Sequence, residues 1–417
     1  MSGATGGATE SYAVIGGEGF VGQALVSKLR ETFPNRTTTS LGLTQRHFGN
    51  DAQPYNFERT DISSLSSLLA AFSASRPTTV FHTASPHPGS SLEICERVNV
   101  EGTRLVIEAC RKIGVRKLVF TSSVTVLYEG LDLISVDERL PPTKSIEDHY
   151  VATKVRAEKL ILDANSDTLL TCSLRLAGVF GSVAHFASAP PSNGLSRTIS
   201  DILLNRPGDR QILPGLMKVL KDRQTMFQIG DNSTLFDFVH IDNVVSAHIL
   251  AAEQLGAPPL DPSLLTTRLF NVNLTVRRRA IPTSRDKTST QVDPPLPARR
   301  SVYNQFSDSS APLVLAGNAV IITNGEPVPF WTFCRAIWFS YSGHIPPFIL
   351  PLPKALALGL ARVAENVAKL TGTEAAMTSV NVRYVTNHLY FDIERVRPCS
   401  LDPPALTGLV GETFVGI

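Results

Sequence analysis

Charge is scarce and balanced. Only 18% of the 417 residues are charged, 39 basic against 37 acidic, for a net charge of +2. No whole-chain field draws in a polyanion, so nucleic acid is not an expected partner. Cysteine is sparse too. Cys95, Cys110, Cys172, Cys334 and Cys399 are odd in number, far apart and without a C-x-x-C pair. That pattern argues against a disulfide framework and a zinc site, and for a reduced compartment. Met1 to Glu10 lacks the basic start and apolar centre of a secretory signal, so a flexible tail on a protein that is not secreted is expected.

Long apolar runs are also missing. The most membrane-like stretch, Ile345 to Ala364, is interrupted by Pro346, Pro347, Pro351 and Pro353 and carries Lys354 and Arg362. A spanning helix needs about 20 mostly apolar residues. Two readings of this stretch remain: a helix buried within the protein, which is favoured, and an interfacial helix starting near Pro353. No internal repeat is present.

The remaining 43% hydrophobic content can build a large core. From Tyr12 to Gly181, short β-branched runs alternate with longer amphipathic ones. The pattern predicts strands over Tyr12 to Ile15, Thr38 to Leu43, Thr78 to His82, Lys117 to Thr121 and Thr171 to Leu176. Helices are predicted over Phe20 to Glu31, Ser64 to Ser73, Glu93 to Ile113 and Asp148 to Asn165. Such alternation implies an α/β fold, a Rossmann-type doubly wound parallel sheet with ligands at the carboxyl ends of its strands. Beyond it, Phe236 to Ile241 reads as a strand entering a helix over Asp242 to Gln254. Val183 to Asn205 and Val276 to Ser310 read as loops, and Arg277, Arg278 and Arg279 as a solvated run.

Gly16-Gly17-Glu18-Gly19-Phe20-Val21-Gly22 follows the first strand and opens a helix. Gly16, Gly19 and Gly22 allow a tight turn, close approach to a pyrophosphate and close helix packing, and the helix N-terminus supplies free N–H groups. The acid that binds the adenosine ribose about 20 residues later is missing: Ser40-Leu41-Gly42-Leu43-Thr44-Gln45-Arg46 contains no carboxylate. Gly42 leaves room and Arg46 suits a 2′-phosphate, which tilts the expectation from NAD towards NADP. Asp61-Ile62 is placed to cap the adenine edge, and capping the next helix is an equal role for Asp61. Tyr150 and Lys154 lie one helical turn apart, hence on one face. An ammonium there favours the phenolate of a tyrosine whose ordinary pKa is about 10.

The glycine turn, His82-Thr83-Ala84-Ser85-Pro86, Asn99-Val100-Glu101-Gly102-Thr103, Thr121-Ser122-Ser123 and Tyr150-x-x-x-Lys154 resemble the extended short-chain dehydrogenases, and within them the 3β-hydroxysteroid dehydrogenase branch. Segments of the second half, such as Phe227 to Asn232, Phe236 to Val244 and Ile322 to Pro327, resemble fungal sterol-4α-carboxylate 3-dehydrogenases of the decarboxylating kind. So does Pro207-Gly208-Asp209-Arg210-Gln211.

The resemblance implies catalysis by Tyr150, Lys154 and Ser123, with Ser122 second to Ser123. It also implies cofactor contacts from Gly16, Gly19, Phe20, Val21, Gly22, Arg46, Asp61, Ile62, Thr83, Ala84, Ser85, Tyr150 and Lys154, and no metal. Tyr150 would take the proton of a sterol 3β-hydroxyl, and a 4-carboxylate beside the new ketone would leave as carbon dioxide. A nucleotide-sugar epimerase or dehydratase is the alternative enzyme, and a catalytically impaired dinucleotide-binding protein the non-enzymatic one. The expected partners are a sterol or steroid, a membrane touched peripherally on the cytoplasmic side of the endoplasmic reticulum, and a second copy in a homodimer.

The expected organisation is a tail over 1–11 and a dinucleotide domain over 12–182, joined by a return segment over about 234–275. A smaller, mostly C-terminal α/β substrate domain takes 207–233 and 312–395, with insertions over 183–206 and 276–311 and an atypical tail over 396–417. Retained introns at the insertions and a frame or splice error at the tail are the expected origin of these departures. Leu176-Ala177-Gly178 stands where the family has Pro-Ala-Gly, which suggests a looser turn.

Overall fold

The computed structural model describes residues 10–46, 55–87, 89–144, 148–181, 212–256, 314–371 and 377–393. Both expected insertions, the Pro207 to Gln211 motif, Arg277 to Arg279, Cys399 and the atypical tail lie outside the described residues.

The first half alternates as its sequence pattern requires. In order come β1 (Ser11–Ile15), α1 (Phe20–Thr32), β2 (Thr37–Gly42), β3 (Asn56–Arg59), α2 (Leu65–Ser75), β4 (Thr79–His82), α3 (Leu92–Cys95), α4 (Thr103–Ile113), β5 (Lys117–Ser123), β6 (Leu133–Val136), α5 (His149–Asp163), β7 (Leu170–Leu176) and β8 (Gly178–Phe180). The second half adds α6 (Ile212–Lys221), β9 (Phe227–Ile229), β10 (Leu235–Phe236), β11 (Phe238–His240), α7 (Ile241–Gln254), β12 (Ala319–Ile322), β13 (Val328–Pro329), α8 (Phe330–Ser342), β14 (Leu350–Leu352), α9 (Lys354–Thr371), α10 (Ser379–Thr386) and β15 (Leu389–Phe391).

Seven strands form an all-parallel sheet in the order β12-β7-β5-β4-β1-β2-β3. The chain steps outward from β1 to β3, then crosses back to β4. The crevice at the carboxyl ends of β1 and β4 is therefore the topological switch point, where such sheets bind ligands. Apolar side chains cover both faces. Val14, Leu25, Phe81, Cys172 and Val245 belong to one core cluster, and Ile15, Leu68, Val80, Leu118 and Ile161 to the other.

The domain boundaries differ from expectation. Ala319–Ile322, assigned by sequence to the substrate domain, pairs with β7 as the edge of the large sheet. Leu133–Val136, in the first half, instead joins the small sheet β13-β10-β15-β6. The expected strand Phe236 to Ile241 is split at Asp237, whose carboxylate accepts the Phe391 amide (2.8 Å). β10 then pairs in the small sheet and β11 with β8. The edge strand β3 escapes a pattern reading because its four residues are polar or half-exposed.

The small domain is packed with aromatics. Phe238 stacks on Phe333 at 3.7 Å between ring centroids, and Trp338 is fully buried with its indole donating to the Leu216 carbonyl (2.9 Å). The expectation of a buried helix after Pro353 is overturned. α9 buries only Ala357, Ala361 and Ala368, while Leu356, Leu360, Val363, Val367 and Leu370 face outward. Small residues permit close docking on one side, and the long apolar ones fall on another. Among the described residues no helix is long and apolar enough to cross a membrane.

Candidate active site

Every element that carries a predicted catalytic group delivers it to one cavity of about 740 Å³. α5 begins at an Asp148 cap, whose carboxylate accepts the Tyr150 (2.7 Å) and Val151 (3.2 Å) amides. Such caps stabilise a helix start by about 1 kcal/mol, and this one fixes Tyr150 in the first turn. One turn on, Lys154 is 2% exposed. Its ammonium donates to the Thr121 carbonyl (2.7 Å) and lies 4.4 Å from the Phe120 ring centre. β5 ends at Ser123, whose hydroxyl oxygen receives the Thr125 hydroxyl (2.9 Å) and amide (3.2 Å). With its lone pairs so engaged, the Ser123 hydrogen is left to donate. Ser122 also reaches the wall, but its buried hydroxyl has no partner.

Electrostatics here depart from expectation. Lys154 was expected to lower the Tyr150 pKa. Instead burial raises it, with Asp148 and Cys95 acting the same way and only the Ser85 hydroxyl opposing. Burial holds Lys154 down at about 7, against a smaller upward pull from Glu158. A lysine so desolvated is only partly charged near neutrality, and its head turns to the β5 backbone. Burial and the nearby Lys154 also keep His82 neutral, with a pKa of about 3.

The glycine turn fits a pyrophosphate. A Cβ at Gly22 would collide with the Gly16 carbonyl oxygen, so backbone fills the space where a side chain would shield the helix start. Gly19 caps α1 without any side-chain bond, which leaves first-turn N–H groups open to an anion. Gly19, Phe20, Val21 and Gly22 line the same cavity as Thr83, Ser85, Tyr150, Lys154 and Ser123. Gly16 and Ala84 sit behind this wall in mutual contact.

Arg46, Asp61 and Ile62 are not on the wall. The Arg46 amide donates to the Glu18 carboxylate (2.6 Å). Asp61 does not cap α2, because Ser64 does so through the Ser67 amide. The Asp61 carboxylate instead accepts the Ser63 amide and hydroxyl, and Ile62 packs beside Gly102.

Two residues at or beside the cavity are not among those expected from the sequence. Asn99 sits in a π-helical stretch, Glu96–Gly102, that joins α3 to α4. Its amide donates to Thr153 on α5 (3.0 Å), and its carbonyl accepts the Ser85 hydroxyl (3.3 Å). π-turns often mark functional sites, and this one ties the loop after β4 to the helix that carries Tyr150. Arg383 on α10 also lines the cavity. Opposite the cofactor side the wall is aromatic and apolar, from Phe236, Phe330, Phe333, Leu216 and Tyr384. Leu176-Ala177-Gly178 is not loose, since Leu176 pairs with Ser123 on one side and Ile322 on the other, and Ala177 donates to Ile322.

A profile of the 3-beta hydroxysteroid dehydrogenase/isomerase family matches residues 13–193 and 203–275, more than half of the chain. The chain belongs to that family. Two relatives show how far the family likeness extends. The chain is similar to the decarboxylating sterol-4-alpha-carboxylate 3-dehydrogenase of Saccharomyces cerevisiae, 31% identical over 93% of this chain and 91% of the relative. It is also similar to its Homo sapiens counterpart, 30% identical over 94% and 84%. Among solved structures, a UDP-glucose 4-epimerase from Thermotoga maritima superposes with a TM-score of 0.55 at 16% identity, covering 97% of this chain and 98% of the epimerase. At that identity the likeness is one of fold. Family membership thus joins a seven-stranded parallel sheet to a site that carries Ser, Tyr and Lys on one wall. Among the described residues no cluster of potential metal ligands is present.

Proposed function

We propose that this chain is an NAD(P)-dependent oxidoreductase that oxidises the 3β-hydroxyl of a sterol or steroid. A sterol 4α-carboxylate is its preferred substrate, and the C4 carboxyl is lost as carbon dioxide. One observation carries the reading: Ser123, Tyr150 and Lys154 share a cavity with an open glycine-capped helix start on one side and an aromatic wall on the other. The aromatic and apolar wall suits a flat hydrocarbon ring system better than a polar sugar nucleotide.

Bound at the glycine turn, the dinucleotide supplies the hydride acceptor. Tyr150 takes the hydroxyl proton as the hydride leaves C3, and Ser123 donates to the substrate oxygen. Lys154, when charged, would donate to a ribose hydroxyl of the bound dinucleotide. Arg383 is the cation suited to a substrate carboxylate. The resulting 3-ketone is β to that carboxylate, an arrangement that releases carbon dioxide through an enol with no further catalytic group.

The test is a spectrophotometric assay with a 4α-carboxysterol, a plain 3β-hydroxysteroid and a UDP-hexose, each with NAD and NADP. Turnover of the carboxysterol with carbon dioxide release is expected, and it should fall at least 100-fold in Tyr150→Phe, the scale of general-base catalysis (about 10²–10⁴). Turnover of the UDP-hexose alone would replace the reading with the epimerase one. Tight dinucleotide binding without any turnover would replace it with that of an impaired binding protein.

We also propose peripheral contact with the cytoplasmic face of the endoplasmic reticulum membrane through the outer face of α9. Leu356, Leu360, Val363, Val367 and Leu370 are exposed there, and Phe348, Ile349 and Leu350, shortly before the helix in the chain, are exposed too. Arg362 and Lys369 flank them, and the helix's one acid, Glu365, is engaged by Ser379. An apolar stripe edged with cations fits an anionic lipid surface. Flotation with phosphatidylserine liposomes should be lost when Leu360, Val363 and Val367 are all changed to Ser; flotation unchanged by that triple variant counts against it.

A further inference from the structure

At the carboxyl end of β2, where an acid would read the adenosine ribose, the chain has Gly42. A carboxylate is nevertheless there. Glu18, in the middle of the glycine turn, folds across Gly42 so closely that a Cβ on that residue would stand 3.2 Å from the Glu18 Cγ. The absence of a side chain at position 42 leaves room for it. Glu18 is 7% exposed and accepts from the Ser40 hydroxyl (2.6 Å), the Arg46 amide (2.6 Å) and the Tyr55 hydroxyl (3.0 Å to each oxygen).

Two details bear on what this carboxylate can bind. The single Tyr55 hydrogen is also within reach of the Arg46 carbonyl (2.7 Å), so Glu18 receives at most three donated hydrogens. A carboxylate has about four acceptor positions, which leaves one for a ribose hydroxyl. The Arg46 guanidinium, which would otherwise welcome a phosphate, reaches the Glu18 backbone carbonyl (3.5 Å) and not its carboxylate. The negative charge at this corner is therefore held by neutral donors. A 2′-phosphate, bringing about two further negative charges, would meet a buried carboxylate, where repulsion is weakly screened.

We infer that Glu18 reads the adenosine ribose in place of the missing β2 acid, accepting the 2′-hydroxyl and excluding the 2′-phosphate, so that the chain selects NAD over NADP. This reverses the expectation drawn from Gly42 and Arg46, and it rests on the dinucleotide site proposed above. The experiment is a titration of the purified full chain with NADH and NADPH, followed by nicotinamide fluorescence. 5′-AMP and adenosine 2′,5′-bisphosphate serve as competitors that differ only at the 2′-phosphate. NADH should bind at least 10-fold tighter than NADPH, with the same order for the competitors. Glu18→Gln should shrink the ratio at least 5-fold, mainly by tightening NADPH, and Arg46→Ala should leave the NADH preference in place. Equal binding, tighter NADPH in the unsubstituted chain, or an unchanged ratio in Glu18→Gln overturns the inference. The wild-type ratio decides the matter even where the variant fails to fold. Failure of both dinucleotides to bind removes the cofactor reading itself, and this inference with it.

Discussion

Lys154 donates its ammonium to the carbonyl of Thr121, 33 residues earlier in the chain, at 2.7 Å. The bond fastens the helix of the Tyr/Lys pair to the end of the strand that presents Ser123. It also holds Lys154 in a buried place where its pKa falls to about 7.

A pH dependence of dinucleotide binding follows. Lys154 is charged below about pH 7 and loses its proton as pH rises through that value. A charged Lys154 that donates to the ribose makes binding strongest on the acid side. The dissociation constant should rise roughly 10-fold between pH 6 and pH 8.5, by proton linkage. Lys154→Met should bind more weakly at pH 6 and show a flat profile, measured by fluorescence titration.

Asn99 should act through position. Asn99→Ala removes both the bond to Thr153 and the acceptor for Ser85, which costs about 1–3 kcal/mol for buried polar groups left without partners. We expect a lower Tm and a kcat reduced more than the KM is raised, since the loop after β4 and the Tyr150 helix lose their tie. Steady-state kinetics beside thermal melts measure both.

Arg383 should set the preference for a carboxylated substrate. A charge-assisted bond contributes about 1.5–3 kcal/mol, on the order of 10–100-fold. Arg383→Leu is expected to lose that factor in kcat/KM for a 4α-carboxysterol and little for a plain 3β-hydroxysteroid. Equal losses on both substrates would assign Arg383 to the fold.

Asp237 should make stability fall with pH. Its buried carboxyl is raised to about 7 by desolvation, against a smaller lowering by the Phe391 amide, and one of its oxygens has no partner. The folded state holds this proton between about pH 4 and 7 while the unfolded chain has released it. The stabilisation is complete below the unfolded pKa and disappears as pH rises through 7, an effect of a few kcal/mol at most. Asp237→Asn should therefore melt higher than the parent at pH 8 and show a smaller drop in Tm between pH 5 and pH 8.

Much of the fold is legible in the chain because its signals are local. Alternating β-branched and amphipathic runs placed β1, β2, β4, β5 and β7 within a residue or two, since the periods of strand and helix repeat over a few residues. The Glu93 to Ile113 pattern foretold a helix but not its π-stretch, which one extra residue in a turn creates without changing composition. Asp237 broke an expected strand because a bond to Phe391, 154 residues away, competes with the local pattern. The helix after Pro353 is exposed where a buried one is expected, because its apolar content is visible in sequence, whereas the side that docks is decided by where Ala357, Ala361 and Ala368 fall.

The sequence by itself determined the parallel sheet, the glycine turn and the Tyr150/Lys154 spacing, each of which needs only neighbours a few residues apart. Only the tertiary structure decided that burial lowers the Lys154 pKa, that Asn99 ties the loop after β4 to the Tyr150 helix, that Arg383 reaches the cavity, and that Glu18 stands at the end of β2. Burial sets the first of these, and the others join residues far apart in the chain. Folding alone brings such segments together, and a linear reading carries no measure of that distance.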